Sequence, residues 1–517
     1  MAIKSYKREM ARADQIRTQW PPVDDPVYRR LGVTRDQLVE MTQDFRGQLV
    51  FPGSPDYNKD RQGNPLYPSF PEVIAYCEVP NDVRLCLDWA HVLGLWVTCR
   101  SGGHSTAGYS VNSGMVIDTS RIKYVSVDQL AMTARVGAGT DFGHFDTVLN
   151  EHRLHVPGGG CPDVCVAGYM QGGGYGFTSR EYGMNCDNVL EFTMMRADGT
   201  IVTANENDHR ELFWAVRGGT GDNFGVLLEV TYRLYPLWKV WGFALVWSLS
   251  DAPAVLAELQ QNYMMTGAPK ELGYQAFLAT SKGNKACVVL GMFHGSRDDG
   301  LAAIKSLQGI GTPTLAIDTV GTYKSLNEGL LYGVLTPPTP TLIEYKQSGY
   351  IAETLTEAQW QTVVKYFSTA PNEYALVGLE AYGGAIKAYP SDGNAFIHRN
   401  VACDFFVDSF FDPQGTVTSQ QEALKWLNGF MTLMQPYFNG EVYQNYPVRD
   451  LPNFREAYWG SGSTFDKLLK VKKAYDPTNF FHFEQSISPA SVAAGDTHAV
   501  PSAARPAAEQ QPVEGRG

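Results

Sequence analysis

The sequence predicts an α+β chain of two domains, and three observations carry that expectation. Glycine clusters recur at 102–108, 158–176 and 218–225, among short β-type runs. Beyond Trp241 glycine thins out and strands alternate with amphipathic helices. With 517 residues, 44% hydrophobic and 19% charged, the chain exceeds the size at which single cores divide.

Residues 1–69 are rich in Pro, Asp and Arg and read as an N-terminal arm with one helix around Arg35–Phe45. The first domain is expected over 70–240. Asn81-Asp82 predicts a helix cap, and Gly94 a stop. Residues 96–99 are strand-like and run straight into Arg100-Ser101-Gly102-Gly103-His104. Short β-type runs follow at Met115–Asp118, Tyr124–Val127 and Met132–Val136, then a helix near Asp141–His152. The glycine series Gly137–Gly143 lacks the dinucleotide spacing and reads as a turn.

Eight of the twenty residues in 157–176 are glycine, more than a packed helix or strand tolerates, so a loop open to a flat ligand is expected. In Val226–Tyr235, Val226, Leu228, Val230 and Tyr232 alternate as in a half-buried strand. A second domain over 241–442 is expected to hold one antiparallel sheet covered by helices. Its strands are predicted at Phe243–Trp247, Tyr274–Ala279, Ala286–Phe293, Tyr374–Ala381 and Cys403–Phe410, and its helices at Ala252–Met265, Asp298–Leu307, Glu357–Phe367 and Ser419–Met434. The proline-rich run Leu335–Thr341 reads as a surface loop. Residues 443–487 close the fold, and 488–517, with almost no bulky apolar side chains, read as a disordered tail.

Composition excludes several partners. A net charge of -12 offers no basic stripe, so nucleic acid is not expected. Met1–Gln19 has no apolar leader, and no run approaches the roughly 18 apolar residues that span a membrane. The eight cysteines are scattered without metal-type pairs, which predicts reduced thiols, no metal and a cytoplasmic location.

In the turn at 100–105, Gly102 and Gly103 allow N–H groups to converge on a pyrophosphate beside the charge of Arg100, with His104 projecting beyond. Three glycine loops within residues 100–225 imply one extended cofactor. Together with Tyr443-Gln444-Asn445-Tyr446 and Tyr475–Ile487, these loops resemble the berberine bridge enzyme-like branch of the FAD-linked oxidases, in the vanillyl-alcohol oxidase (PCMH-type FAD-binding) superfamily. The resemblance spans about residues 70–487. Its most specific parts are Arg-Ser-Gly-Gly-His at 100–104, Gly-Gly-Cys-Pro-x-Val at 159–164, Gly-Gly-Gly-Tyr-Gly at 172–176 and Tyr-x-Asn-Tyr at 443–446.

The resemblance implies FAD held bicovalently, by His104 at the flavin 8α-methyl and by Cys161 at flavin C6. It implies a cofactor shell of Arg100, Ser101, Gly102, Gly103, Ser105, Gly108, Val164, Gly168, Gly172, Gly173, Gly174, Gly176, Asn188, Val226, Tyr443 and Asn445. Cys165 stands where the family usually has glycine, and a switch of the cysteinyl link to it stays open. Val164 matches the family's oxygen-gate position, where a small residue accompanies oxidases. The implied activity is hydride transfer from an alcohol-type small molecule, an oligosaccharide or secondary metabolite, to flavin N5, with O2 reoxidising the flavin and yielding H2O2. A dehydrogenase using another acceptor, and a flavin-fold binding protein without catalysis, are the alternatives.

Tyr446 matches the family tyrosine that removes the substrate proton. Half-ionising a tyrosine at pH 7 takes ~4 kcal/mol of electrostatic help, from a cation or through concerted transfer. Arg449 is the nearest cation in sequence. Some relatives place a glutamate base on the strand after His398-Arg399; here Phe405 takes the best-aligned position, and strand alternation then turns Asp404 away unless the register slips by one. Glu380 and Tyr382 are expected on a site-facing strand in structural roles.

Overall fold

Three main β-sheets organise the chain, and the computed structural model describes residues 18–264 and 267–488. The leading 17 residues, and the tail expectation from 489 onward, lie outside the described residues.

The first sheet comprises β1 (Gln48–Val50), β2 (Val73–Tyr76), β3 (Val97–Arg100) and β4 (Met115–Asp118), in the order β1-β2-β4-β3. Both β2 and β3 run parallel to β4, all four residues of which are buried. The connection carries the helix Pro80–Leu93, stopped by Gly94 in the left-handed region (φ 62°). Its start differs from the expected cap. Pro80 opens it, and Asp82, inside the first turn, reaches back to accept from the N–H groups of Glu78 and Val79, while its other oxygen accepts from Arg46. β3 delivers the 101–104 turn at its C-terminal end, where open parallel sheets place ligands.

Residues 125–236 hold β5 (Val125–Asp128), β6 (Thr133–Gly137), β7 (Leu154–His155), β8 (Val189–Met195), β9 (Ile201–Asn205), β10 (Val226–Arg233) and β11 (Tyr235–Pro236). Five of these form an antiparallel sheet in the order β5-β6-β10-β8-β9, and β7 pairs with β11. β10 forms as expected but departs from half-buried alternation. Val226 and Leu228 enter the core under the first sheet, while Leu227, Val230 and Tyr232 enter the core around the helix Phe142–His152, so the strand is buried on both sides. Register shifts at Leu227/Glu229 and Thr231/Tyr232 accompany this double burial.

The third sheet contains β12 (Lys239–Ser248), β13 (Leu272–Ser281), β14 (Asn284–Phe293), β15 (Thr314–Thr322), β16 (Ile343–Ile351), β17 (Leu376–Ala381) and β18 (Cys403–Phe411). It is antiparallel throughout, in the order β15-β12-β14-β13-β17-β18-β16. One face packs on the helices Ala252–Glu258, Glu357–Phe367 and Gln420–Met434 through Trp360, Phe367, Phe405 and Phe430. The opposite face, with Phe277, Leu290 and Phe406, meets Phe177 and Tyr446.

Two strands at the sheet edges, β15 and β16, were not expected. β15 alternates between exposed and half-exposed residues, and the inward positions of β16 are charged or polar, so neither shows an apolar stripe. The helix expected to Met265 turns into a π-helix at Leu259–Met264, and that expected over Asp298–Leu307 breaks into Arg297–Ala303 and Lys305–Gln308. Among the described residues, no helix is long and apolar enough to cross a membrane.

Candidate active site

The 101–104 turn and the 161–165 loop meet across a cleft of about 450 Å³ between Ser101-Gly102, Gly139, Gly143 and Pro162-Asp163. The start of the helix Phe142–His152 fixes the second loop: N–H of Phe142 donates to Val164 O (2.9 Å) and N–H of Gly143 to Pro162 O (2.7 Å). Asp141 caps the same helix by accepting from His144 N–H at 2.8 Å. Gly102 permits the approach, since a Cβ there would lie 3.1 Å from Asp163 O and 3.2 Å from Cys165 Sγ. Arg100 does not leave its charge open to the cleft. It is buried, its Nε donates to Asp118 Oδ2 at 2.5 Å and its Nη1 to Asp60 O at 2.7 Å.

The candidate attachment side chains differ in exposure. His104 and Cys161 are exposed, whereas Cys165 is buried and its thiol donates to Gly139 O at 3.4 Å. The surrounding protein, and after it the Asp163 carboxylate, push the Cys161 thiol above its usual value. Val164 is half-buried at the edge of the adjoining core.

The remaining glycines divide into two groups. Gly160 and Gly168 have no protein atom within 4 Å of a would-be Cβ, so glycine there keeps open space open. The cluster at 172–176 is instead buried and filled by protein, which revises the expectation that this stretch lies open to a ligand. A Cβ on Gly172 would lie 2.1 Å from Asn445 Oδ1, one on Gly173 2.7 Å from the Phe396 ring, and one on Gly176 2.0 Å from Gly158 O. Gly174 (φ 84°) and Tyr175 both donate N–H to Tyr443 Oη at 3.0 Å. Within the same stretch Val166–Gln171 form a short helix. Glycine here serves close approach of the C-terminal segment, a need the sequence does not separate from ligand approach.

That segment is locked in place. Asn445 donates to Tyr169 O (2.9 Å) and to Tyr443 Oη (3.1 Å), and the buried Lys472 donates to Asn223 O and Phe481 O and pairs with Asp476. Of the other expected shell residues, Gly108 packs on Tyr67, and Ser105 Oγ accepts from Tyr109 N–H at 3.2 Å. Asn188 spends both ends of its amide inside the protein, on Tyr182 O, Met184 O and Tyr235 Oη. Val226 is core.

The C-terminal segment brings Tyr446 onto the open face of the third sheet. Tyr446 Oη donates to Glu380 Oε1 at 3.0 Å, and its ring lies 5.5 Å from Phe406. β17 and β18 pair Glu380 with Asp404, and β16 and β18 pair Lys346 with Asp408. All four side chains therefore share the face toward Tyr446, and Phe405 turns to the helices. Asp404 faces Tyr446, on the side that strand alternation from the Phe405 alignment had turned away.

Burial drives the electrostatics of this wall. It raises Glu380 to about 7, against the lowering effects of Tyr446 and Lys346. Burial and then Glu380 raise Asp404 far above the usual carboxylate range. Glu380 Oε2 and both Asp404 oxygens have no hydrogen-bond partner among the described residues, a rare state for buried carboxyls and one suited to a polar ligand. Tyr446 is shifted upward, by burial and then by Glu380, so a standing phenolate is disfavoured. The cation near its ring is Lys346, at 4.7 Å, which also pairs with Asp408 and lies 3.3 Å from Glu344. Arg449 is engaged elsewhere, with Glu484 and over Tyr67. Lys346 belongs to no motif of the sequence, and the alternating Glu344, Lys346 and Ser348 is the local signal for its polar-faced strand.

Comparison with known proteins agrees with this architecture. The family described as FAD binding domain matches residues 71–205, and that described as berberine and berberine like matches residues 442–488. An uncharacterized FAD-linked oxidoreductase YgaK of Bacillus subtilis is 29% identical, covering 86% of this chain and 97% of that protein. A carbohydrate oxidase of Microdochium nivale is 26% identical, covering 85% and 92%. The structure of Physcomitrella patens BBE-like 1 superposes with a TM-score of 0.76 at 26% identity, over 87% of this chain and 99% of that one. Fold and comparisons define an FAD-linked oxidoreductase of two-domain α+β architecture. In its FAD-binding domain and its C-terminal segment the chain is similar to the berberine bridge enzyme-like proteins.

Proposed function

We propose that the chain is an oxidase with bicovalently held FAD that oxidises an alcohol-type carbon of a carbohydrate or secondary metabolite, with Tyr446 and Glu380 removing the proton. The observation that carries this reading is the 3.0 Å hydrogen bond from half-buried Tyr446 to the buried carboxyl of Glu380. The residues present fit a flavin: Gly160 and Gly168 are unopposed, and the exposed His104 and Cys161 stand on adjoining loops while Cys165 is withdrawn. The division at 240/241, with return of 443–487 to the first domain, belongs to the same proposal.

When bound, the flavin would supply a two-electron acceptor for the substrate hydride, with O2 as the final oxidant and Val164 at the proposed oxygen-access position. The protein's task is the proton. Tyr446 accepts the substrate hydroxyl proton at Oη while its own passes to Glu380 Oε1, so no free phenolate forms. Lys346, over the Tyr446 ring, offsets negative charge as it develops. Asp404, held protonated, can donate a hydrogen bond to a substrate oxygen. The carbohydrate oxidase among the relatives supports a hydroxyl-rich substrate.

A peroxide-coupled screen of sugars, phenols and polyketide alcohols tests the reading. One class should release H2O2, and Tyr446→Phe should reduce turnover about 10²-fold or more with the fold intact. Substrate-reduced enzyme mixed with air should reoxidise within seconds; minutes or longer would point to another acceptor.

A further inference from the structure

A third side chain stands between the two proposed flavin attachments. Asp163 Oδ2 lies 3.1 Å from His104 Nε2, and its backbone oxygen abuts Gly102 on the facing loop. Pro162 and Val164, on either side of it, are fixed by the helix at 142–152, so backbone hydrogen bonds set the Asp163 main chain, while its side chain is largely exposed and reaches His104. Resting on the bicovalent reading, we propose that Asp163 is a positioning residue for the covalent modification of His104: it holds the Nε2–H tautomer and so presents Nδ1 as the nucleophile to the flavin.

The chemistry follows from the imidazole. A neutral ring carries one N–H, and a carboxylate placed 3.1 Å from Nε2 favours the proton on that nitrogen, which leaves the lone pair on Nδ1. That pair forms the N–C bond to the flavin 8α carbon, which loses one hydrogen as a proton. The flavin takes up two electrons and O2 removes them as H2O2. The Nε2 proton is released through Asp163, so one proton from each centre and two electrons balance the peroxide. The same carboxylate acts against the neighbouring link, since its charge disfavours the Cys161 thiolate. Asp163 is thereby expected to favour the histidyl bond and slow the cysteinyl one.

The test compares wild type with Asp163→Ala and Asp163→Asn, harvested at successive times after induction. Peptide mass separately measures the flavin on His104 and on Cys161. Asp163→Ala should slow His104 linkage about 10-fold or more while Cys161 linkage proceeds as fast or faster; Asp163→Asn, which keeps an acceptor oxygen, should recover much of the rate. Nitrogen NMR of His104 in enzyme caught before linkage should report Nε2–H in wild type and a mixture in Asp163→Ala. Equal His104 linkage in wild type and Asp163→Ala would overturn the proposal. Wild type carrying no flavin on His104 would instead sink the bicovalent reading beneath it. Asp163 is exposed, so its removal should leave thermal stability unchanged; parallel loss of both links together with stability would mean a folding defect and would count against a positioning role.

Discussion

Replacing Glu380 by Gln keeps the shape of the proton wall and removes its titration. The Gln carbonyl can still accept from Tyr446 Oη, so the 3.0 Å contact has a structural substitute, but the final proton acceptor is gone. With Glu380 at about 7, roughly one-tenth is ionised at pH 6 and nine-tenths at pH 8. Wild-type kcat should therefore rise about tenfold across that interval. Glu380→Gln should lower kcat by about 10²–10⁴-fold and abolish the ascending limb. A second readout is stability. The folded state holds the Glu380 proton more tightly than the unfolded chain, whose reference value is 4.5, so its contribution is fully present below that value and is lost as pH rises through about 7. The 2.5-unit difference between 7 and 4.5 corresponds to about 3 kcal/mol, so denaturant unfolding should find Glu380→Gln relatively more stable above pH 8 by up to that amount, and not at pH 4. An unchanged pH limb in the variant, or activity within about threefold of wild type, would refute the relay and direct attention to Asp404.

Two further substitutions probe the loops. Cys161→Ala should leave a single, histidyl flavin link by peptide mass, whereas Cys165→Ala, at a thiol bonded to Gly139 O, should leave both links in place. Gly172→Ala puts a Cβ 2.1 Å from Asn445 Oδ1 at an ordinary backbone φ of -102°, so the cost is displacement of Asn445 rather than strain: about 2 kcal/mol in denaturant unfolding, with weakened flavin retention.

The sequence alone determined the class of architecture, because the signals involved are local. Strand-like apolar runs marked β10, β12, β13, β14, β17 and β18, and amphipathic runs marked the helices Glu357–Phe367 and Gln420–Met434. Glycine runs too dense for packed elements marked the loops, and their order matched the family. Tertiary structure decided what each glycine and each charge is for. Gly102, Gly160 and Gly168 border open space or a facing loop, whereas Gly172, Gly173 and Gly176 make room for Asn445, Phe396 and Gly158. Nothing in composition separates the two uses, since both require only a missing Cβ. Arg100 promised a charge for the cleft until Asp118, 18 residues away, claimed it. The proton wall was equally hidden: Lys346, Glu380, Asp404 and Tyr446 come from four separate segments, and their meeting depends on strand register across β16, β18 and β17. A one-residue change of register reverses every side chain, so only the paired sheet determines that Asp404 faces Tyr446 and Phe405 faces the helices.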